Sequence, residues 1–131
     1  MKTPDKFILI DDDLVNNSIF CLSIRMALGR DDAEAFHSVE KGINYIKSEH
    51  GNTGKKLHIA LFLDINLPVT SGWDALEIIE ALDENIKKQL TVFMLSASFD
   101  TEDKKRALKH PMVYDYIEKP LLREKIEALF K

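Results

Sequence analysis

The segment Ile59–Leu63 is an unbroken apolar run that ends at Asp64. Five consecutive apolar residues predict a strand buried on both faces, which is typical of a parallel sheet with helices on each side. In open α/β sheets of this kind, ligands bind at the carboxyl ends of the strands. The sequence therefore predicts a central strand that places the Asp64 carboxylate at a ligand-binding edge.

The rest of the chain alternates short apolar runs with longer amphipathic segments, which is typical of βαβ units. After the first run, for example, Val15, Ile19, Leu22 and Met26 recur at helical spacing. Strands are predicted at about Lys6–Asp11, Ala33–His37, Ile59–Leu63, Thr91–Leu95 and Val113–Ile117. Helices are predicted at about Leu14–Leu28, Val39–Glu49, Gly72–Asp83, Thr101–Lys109 and Leu121–Phe130, with a polar loop at residues 50–56. We therefore expect one domain, residues 1–131, with a doubly wound α/β fold and a five-stranded parallel sheet in the order 2-1-3-4-5.

Charge and composition argue against several classes of protein. The formal net charge of -4 over 131 residues gives no sign of the basic surface that nucleic-acid binding usually needs. No apolar stretch approaches the roughly 20 residues of a membrane-spanning helix, and the N-terminus does not resemble a signal peptide. The single cysteine, Cys21, can form no disulfide within the chain, which favours a reducing compartment. We therefore expect a cytoplasmic protein with no nucleic-acid or membrane partner.

Polar side chains follow the strands that are expected to share the edge with Asp64. The acids Asp11-Asp12-Asp13 follow the first strand, Ser96 follows the fourth and Lys119 follows the fifth. Clustered carboxylates repel one another, and Mg²⁺, which prefers oxygen ligands, relieves that repulsion. Asp11 or Asp12, Asp64 and a loop carbonyl are candidate ligands. A lysine and a hydroxyl can bind phosphoryl oxygens, and a carboxylate can itself be the nucleophile. The sequence thus indicates phosphoryl transfer to an aspartate.

Along essentially its whole length, the chain resembles the receiver domains of two-component response regulators. The resemblance rests on four motifs in order: Asp11-Asp12, Asp64-Ile65-Asn66-Leu67-Pro68 with Gly72, Ser96-Ala97, and Lys119-Pro120. These CheY-like domains have a flavodoxin-like (βα)5 fold and act as switches in phosphorelays. The resemblance implies a stand-alone receiver without an output domain, whose only catalysis is its own phosphorylation and dephosphorylation.

The resemblance also implies a metal site and a phosphoacceptor. Asp64 would accept the phosphoryl group. Asp11 and Asp12 would hold Mg²⁺ together with Asp64 and the backbone carbonyl of Asn66. Lys119 would pair with the acyl phosphate, and its peptide bond to Pro120 is expected to be cis, as is usual in receivers.

Two residues are implied to carry the switch. Ser96 would bind a phosphoryl oxygen and move toward it on phosphorylation. Tyr116, three residues before Lys119, matches the family's aromatic switch position and would turn inward. These movements would remodel the face formed by the fourth predicted helix, the fifth strand and the fifth predicted helix. The implied partners are a histidine kinase or a histidine phosphotransfer protein as donor, and an unknown downstream protein as recipient.

Two alternative functions remain open at this stage. The first is a pseudo-receiver that keeps the fold and binds partners without phosphorylation, because geometry decides whether the set of side chains works. The second is a phosphohydrolase of the haloacid dehalogenase type, because residues 11–15 fit its Asp-x-Asp-x-(Thr/Val) signature. That enzyme would give no role to Asp64, and few residues follow Lys119 to supply its last acidic motif.

Three features outside the motifs have plainer interpretations. Asp13 is predicted to cap the first helix, and Trp73 is predicted to pack against the core. The cations Lys104, Lys105, Arg106 and Lys109 form a basic patch on the fourth predicted helix. The patch is predicted to be a solvated face, with an acidic protein partner as the minority interpretation.

Overall fold

The computed structural model describes residues 1–51 and 56–131, and it contains a five-stranded parallel sheet in the predicted order, β2-β1-β3-β4-β5. The strands are β1 (Lys6–Ile10), β2 (Glu34–Phe36), β3 (Ile59–Asp64), β4 (Leu90–Ser96) and β5 (Val113–Glu118). The helices are α1 (Leu14–Leu28), α2 (Val39–His50), α3 (Gly72–Glu80), α4 (Glu84–Lys87), α5 (Thr101–Lys109) and α6 (Arg123–Phe130). Four residues of the predicted polar loop, 52–55, lie outside the described residues.

The described residues form six helices rather than five, because the segment predicted as one helix to Asp83 is divided. Helix α3 ends at Glu80, where the chain tightens and the Leu82 N–H donates to the carbonyl of Ile79 at 3.1 Å. Asp83 is extended, and its carbonyl accepts from Ile86 and Lys87 to begin α4. The predicted fourth and fifth helices are therefore α5 and α6. Among the described residues, none of the helices has the length and apolar character needed to cross a membrane.

Strand β3 is the centre of the sheet, with β1 and β4 on either side and all six of its residues buried. Because strand side chains alternate between faces, Ile59, Leu61 and Leu63 pack in the layer that includes residues of α2, α3 and α5. Ala60 and Phe62 pack in the other layer, with α1 and α6. Packing on both faces fixes the strand, and with it the position of Asp64.

Helix α1 is confirmed, but its buried face differs from the apolar stripe that marked it in the sequence. As predicted, the Asp13 side chain caps the helix, and Gly29 ends it in the left-handed conformation with a φ of 68°. Phe20, Ile24 and Ala27 face the sheet. The apolar residues whose spacing predicted the helix lie on its solvent side instead: Val15 is 67 % exposed, Leu22 is 51 % exposed and Met26 is 52 % exposed. We call Val15, Ile19, Leu22 and Met26 the α1 stripe.

His50, the last residue of α2, is a buried titratable group outside the acidic motifs. It is only 8 % exposed, and neither ring nitrogen has a hydrogen-bond partner among the described residues. Burial, supported by the charge of Lys6 and opposed by that of Glu49, lowers the pKa of the imidazole. The folded protein therefore holds this ring neutral at a pH where the unfolded chain protonates it.

We expect His50 to make the protein less stable as the pH falls below the ordinary histidine pKa of about 6.5. In that range the imidazole is protonated in the unfolded state but stays neutral in the folded state, so lowering the pH favours unfolding. The contribution to the slope of the unfolding free energy is at most about 1.4 kcal/mol per pH unit. In the His50→Leu variant that contribution disappears. Urea unfolding at a series of pH values from about 7 to 5 measures both slopes; parallel profiles would contradict the prediction.

Candidate functional site

The residues singled out in the sequence converge at the carboxyl edge of the sheet. Asp11 directly follows β1, Asp64 and Ser96 end β3 and β4, and Lys119 directly follows β5. Parallel pairing aligns these ends, since Asp64 lies opposite Leu95 and Ser96 lies opposite Glu118. Asp11, Asp64 and Ser96 are 0 %, 2 % and 2 % exposed. The edge thus holds two buried carboxylates and a buried hydroxyl beside an ammonium group.

Lys119 bridges the two buried carboxylates. Its Nζ lies 2.9 Å from Oδ2 of Asp64 and 3.2 Å from Oδ2 of Asp11. The remaining oxygens accept from the backbone, Asp64 Oδ1 from the Asn66 N–H at 3.0 Å and Asp11 Oδ1 from the Asp13 N–H at 2.9 Å. The Lys119-Pro120 peptide bond is cis, as expected. Each carboxylate is therefore held at both oxygens, and its position is defined.

Negative charge exceeds positive charge within this cluster. Burial raises the pKa of the Asp11 carboxyl, and the charge of Asp64 adds to the effect, while the Asp13 N–H and Lys119 partly oppose it. Burial works against the charged form of Lys119, but its hydrogen bond to Asp64 and the charges of Asp64 and Asp11 prevail and raise its pKa. Lys119 is therefore held as an ammonium ion. One cation compensates two buried carboxylates only in part.

A third carboxylate, that of Asp12, completes a candidate metal centre. Asp11, Asp12 and Asp64 each offer a carboxylate oxygen, and these three atoms lie within 4.8 Å of one another. Asp12 is exposed while the other two are buried, so the cluster opens to solvent on one side. All three donors are hard oxygens, and an open side leaves room for the waters that Mg²⁺ retains. The donor set and the excess charge therefore fit this ion. Asn66, the fourth predicted ligand, adjoins the centre through its hydrogen bond to Asp64.

The two predicted switch residues occupy different surroundings. The Ser96 hydroxyl donates to the carbonyl of Ser98 at 2.5 Å, and the Ser98 N–H donates back at 3.3 Å. Tyr116 is 4 % exposed and lies in the core layer on the α5 side. Its hydroxyl has no hydrogen-bond partner among the described residues, and its ring meets Phe99 edge-on at 6.0 Å. In the structure, the Tyr116 ring is thus buried in the core, and the Ser96 hydroxyl is hydrogen-bonded within the loop that follows β4.

Gly72 joins the backbone of the site to helix α3. Its N–H donates to the Ile65 carbonyl at 3.0 Å. A Cβ at this position would lie 2.5 Å from the Asp64 carbonyl oxygen and 2.5 Å from the Ile65 Cα. Only glycine allows this approach, because both neighbours are backbone atoms and cannot rotate away. The start of α3 is consequently packed directly against the backbone of Asp64.

The Gly72→Ala variant is therefore expected to lose about 1–3 kcal/mol of unfolding free energy, the usual cost of overpacking, and to displace Asp64. Gly42→Ala is the matched control. A Cβ at Gly42 would meet the Cδ1 and Cγ1 atoms of Ile10, at 2.5 and 2.7 Å, and that side chain can move. Urea unfolding of both variants measures the difference. Equal losses in the two proteins would contradict the backbone clash.

One contact near the site joins two residues whose pairing is not indicated by any pattern in the sequence. Trp73, next to Gly72, packs against the core as predicted. The guanidinium carbon of Arg106 on α5 lies 4.1 Å from the centroid of the Trp73 ring. Arg106 was predicted to lie on a solvated face, and it follows Trp73 by 33 positions in the sequence with no pattern that indicates the contact.

Comparisons with known proteins agree with this geometry. A family model described as the response regulator receiver domain matches residues 7–131. The solved structure of a two-component response regulator from Cytophaga hutchinsonii is similar at a TM-score of 0.84 and 27 % identity, covering 98 % of this chain and 95 % of that one. A response regulator receiver protein from Dyadobacter fermentans gives a TM-score of 0.79 at 21 % identity, covering 95 % and 93 %. A comparison with curated proteins gives no match. The predicted fold and the resemblance of the sequence are thereby confirmed.

Proposed function

Because this chain belongs to the response regulator receiver domain family, we propose that it is a phosphorylation-dependent switch of a two-component system. The observation that carries the proposal is the position of Asp64, which is buried and hydrogen-bonded to Lys119 beside two further carboxylates. A carboxylate so placed is a nucleophile with an adjacent cation for the incoming phosphoryl group. Asp64 is accordingly the phosphoacceptor.

The chemistry assigned to Asp64 is a simple displacement at phosphorus. One carboxylate oxygen forms a bond to phosphorus while the bond from phosphorus to the donor's nitrogen or oxygen breaks, and the leaving group keeps that electron pair. Lys119 shifts its hydrogen bond from the carboxylate to a phosphoryl oxygen, and the Ser96 hydroxyl binds another. Asp11, Asp12, Asp64 and the Asn66 carbonyl would hold Mg²⁺, which when bound would neutralise negative charge on the phosphoryl group.

The signal leaves the site through Ser96 and Tyr116. For its hydroxyl to bind the phosphoryl group, Ser96 must give up its hydrogen bond to the Ser98 carbonyl, so the loop after β4 moves. Phe99 in that loop contacts the Tyr116 ring, which connects the movement to β5. The face formed by α5, β5 and α6 is then the surface that a downstream protein recognises.

A protein donor must bring its phosphorylated side chain next to Asp64, and the α1 stripe adjoins that approach. Helix α1 begins three residues after Asp11, and its stripe is mostly exposed apolar surface. Exposed apolar side chains along one face of a helix are typical of a protein–protein contact. We assign the α1 stripe to the donor, a histidine kinase or histidine phosphotransfer protein, and the protein to the cytoplasm where such relays operate.

The deciding experiment is the intact mass of the purified protein after incubation with acetyl phosphate and Mg²⁺. We expect a gain of one phosphoryl group, mapped to Asp64 by borohydride trapping, and no gain when EDTA replaces Mg²⁺. The absence of an adduct under all conditions, including with a protein donor, would favour the pseudo-receiver. An adduct on Asp11 would favour the dehalogenase-type phosphohydrolase.

A further inference from the structure

The helix on the proposed output face, α5, has an unusual attachment to the rest of the fold. Ala107 is its one buried residue, so apolar burial holds it only weakly. Two side-chain pairs tie it to α3: Arg106 lies over the Trp73 ring at 4.1 Å, and His110 Nε2 lies 2.9 Å from Glu80 Oε2. These pairs join the two helices at opposite ends of α3.

The Arg106–Trp73 pair is the one next to the phosphoacceptor. Trp73 follows Gly72, which has backbone contact with Asp64 and Ile65. The Trp73 ring therefore lies one residue from backbone that is packed against Asp64. Arg106, the other member of the pair, precedes Ala107, which is the residue of α5 that is buried in the core. A continuous path of contacts thus runs from the Asp64 backbone to the output helix.

Resting on the function proposed above, we infer that Arg106 and Trp73 are positioning residues which hold α5 in the arrangement of the unphosphorylated protein. A contact made in only one of two states favours that state by its own free energy. A cation over an aromatic ring at an exposed site shifts such an equilibrium by about two- to five-fold. Breaking the pair then enriches the arrangement that accepts the phosphoryl group by this factor.

The test compares Arg106→Gln with Lys105→Gln. Both variants remove one positive charge from the same exposed helix, but Lys105 contacts Glu102 at 3.6 Å and pairs with no aromatic ring among the described residues. We expect Arg106→Gln to be phosphorylated by acetyl phosphate about two- to five-fold faster than wild type, and Lys105→Gln to match wild type. Arg106→Lys, which keeps the cation, should fall between them.

Two further measurements distinguish an effect on the position of α5 from a general loss of stability. Trp73 is the only tryptophan, so its fluorescence reports on the pair: we expect a change on phosphorylation of wild type that is smaller in Arg106→Gln. Amide hydrogen exchange of unphosphorylated Arg106→Gln should be faster in α5 but not in the core strands.

The outcomes distinguish this inference from the proposed function. If wild type is phosphorylated and the two glutamine variants have equal rates, the inference is overturned while the function stands. Faster exchange in α5 with an unchanged rate would also overturn it, because the contact would then be structural only. If wild type accepts no phosphoryl group, the proposed function fails, and unchanged exchange in Arg106→Gln would independently show that the pair does not hold α5.

Discussion

Replacing Asp64 by asparagine is expected to abolish the phosphoryl adduct that wild type gains from acetyl phosphate and Mg²⁺. The asparagine side chain keeps the shape of aspartate, and its carbonyl oxygen can still accept from the Asn66 N–H. It lacks the anionic oxygen that attacks phosphorus. It also removes one of the three carboxylates whose oxygens lie within 4.8 Å of one another. Intact mass spectrometry after a time course measures the effect directly.

Asp13→Asn is the matched control for that variant. Asp13 lies in the same acidic run but is exposed and caps α1 through hydrogen bonds to the backbone of Val15 and Asn16. Asparagine is an equally good cap, so α1 should be unaffected. We expect Asp13→Asn to be phosphorylated like wild type. A phosphoryl adduct on Asp64→Asn at the wild-type rate would place the phosphoacceptor elsewhere and refute the assignment.

The fold and the centre of the site were predictable because they depend on local patterns with few physical solutions. An unbroken apolar run such as Ile59–Leu63 is stable only when covered on both faces, and this requirement leads to the parallel sheet. Once the strand order is fixed by right-handed crossovers, residues that follow the strands must meet at one edge. Asp11, Asp64 and Lys119 therefore come together without any knowledge of side-chain positions.

The features that were missed depend on competition between neighbours in space. The α1 stripe has helical spacing, yet Phe20 and Ile24 occupy the sheet side of the helix, and periodicity does not identify which apolar face is buried. After the break that follows Glu80, α4 is attached to the core by the buried side chain of Ile86. The contact between Arg106 and Trp73 exists only because α3 and α5 lie beside each other. Which long side chains meet across two helices is set by packing and not by spacing in sequence.

Replacing Lys119 by methionine is expected to destabilise the protein in EDTA at neutral pH by about 3–5 kcal/mol of unfolding free energy. Methionine keeps the unbranched shape and most of the length of the side chain and removes its charge. Asp11 and Asp64, at 0 % and 2 % exposure, would then lie together with no cation between them. Removing one partner of a buried ion pair is costly because the charge left behind is neither hydrated nor compensated.

Supplying positive charge to the cluster as protons or as Mg²⁺ distinguishes a loss of charge compensation in Lys119→Met from a simple loss of packing. Burial and the charge of Asp64 already raise the pKa of the Asp11 carboxyl, and Lys119→Met removes the ammonium group that opposes this shift. Asp11 then holds a proton more tightly in the folded than in the unfolded state, so the deficit relative to wild type should shrink as the pH is lowered. The deficit should also shrink on adding Mg²⁺, because at the proposed metal centre the ion would bind the folded state alone and would no longer compete with an ammonium group. Lys125→Met is the control, because Lys125 is bonded to the exposed Glu118 carbonyl and should change stability by less than about 0.5 kcal/mol. A deficit in Lys119→Met that is independent of both pH and Mg²⁺ would mean that Lys119 contributes by packing, and the charge balance inferred for the site would be wrong.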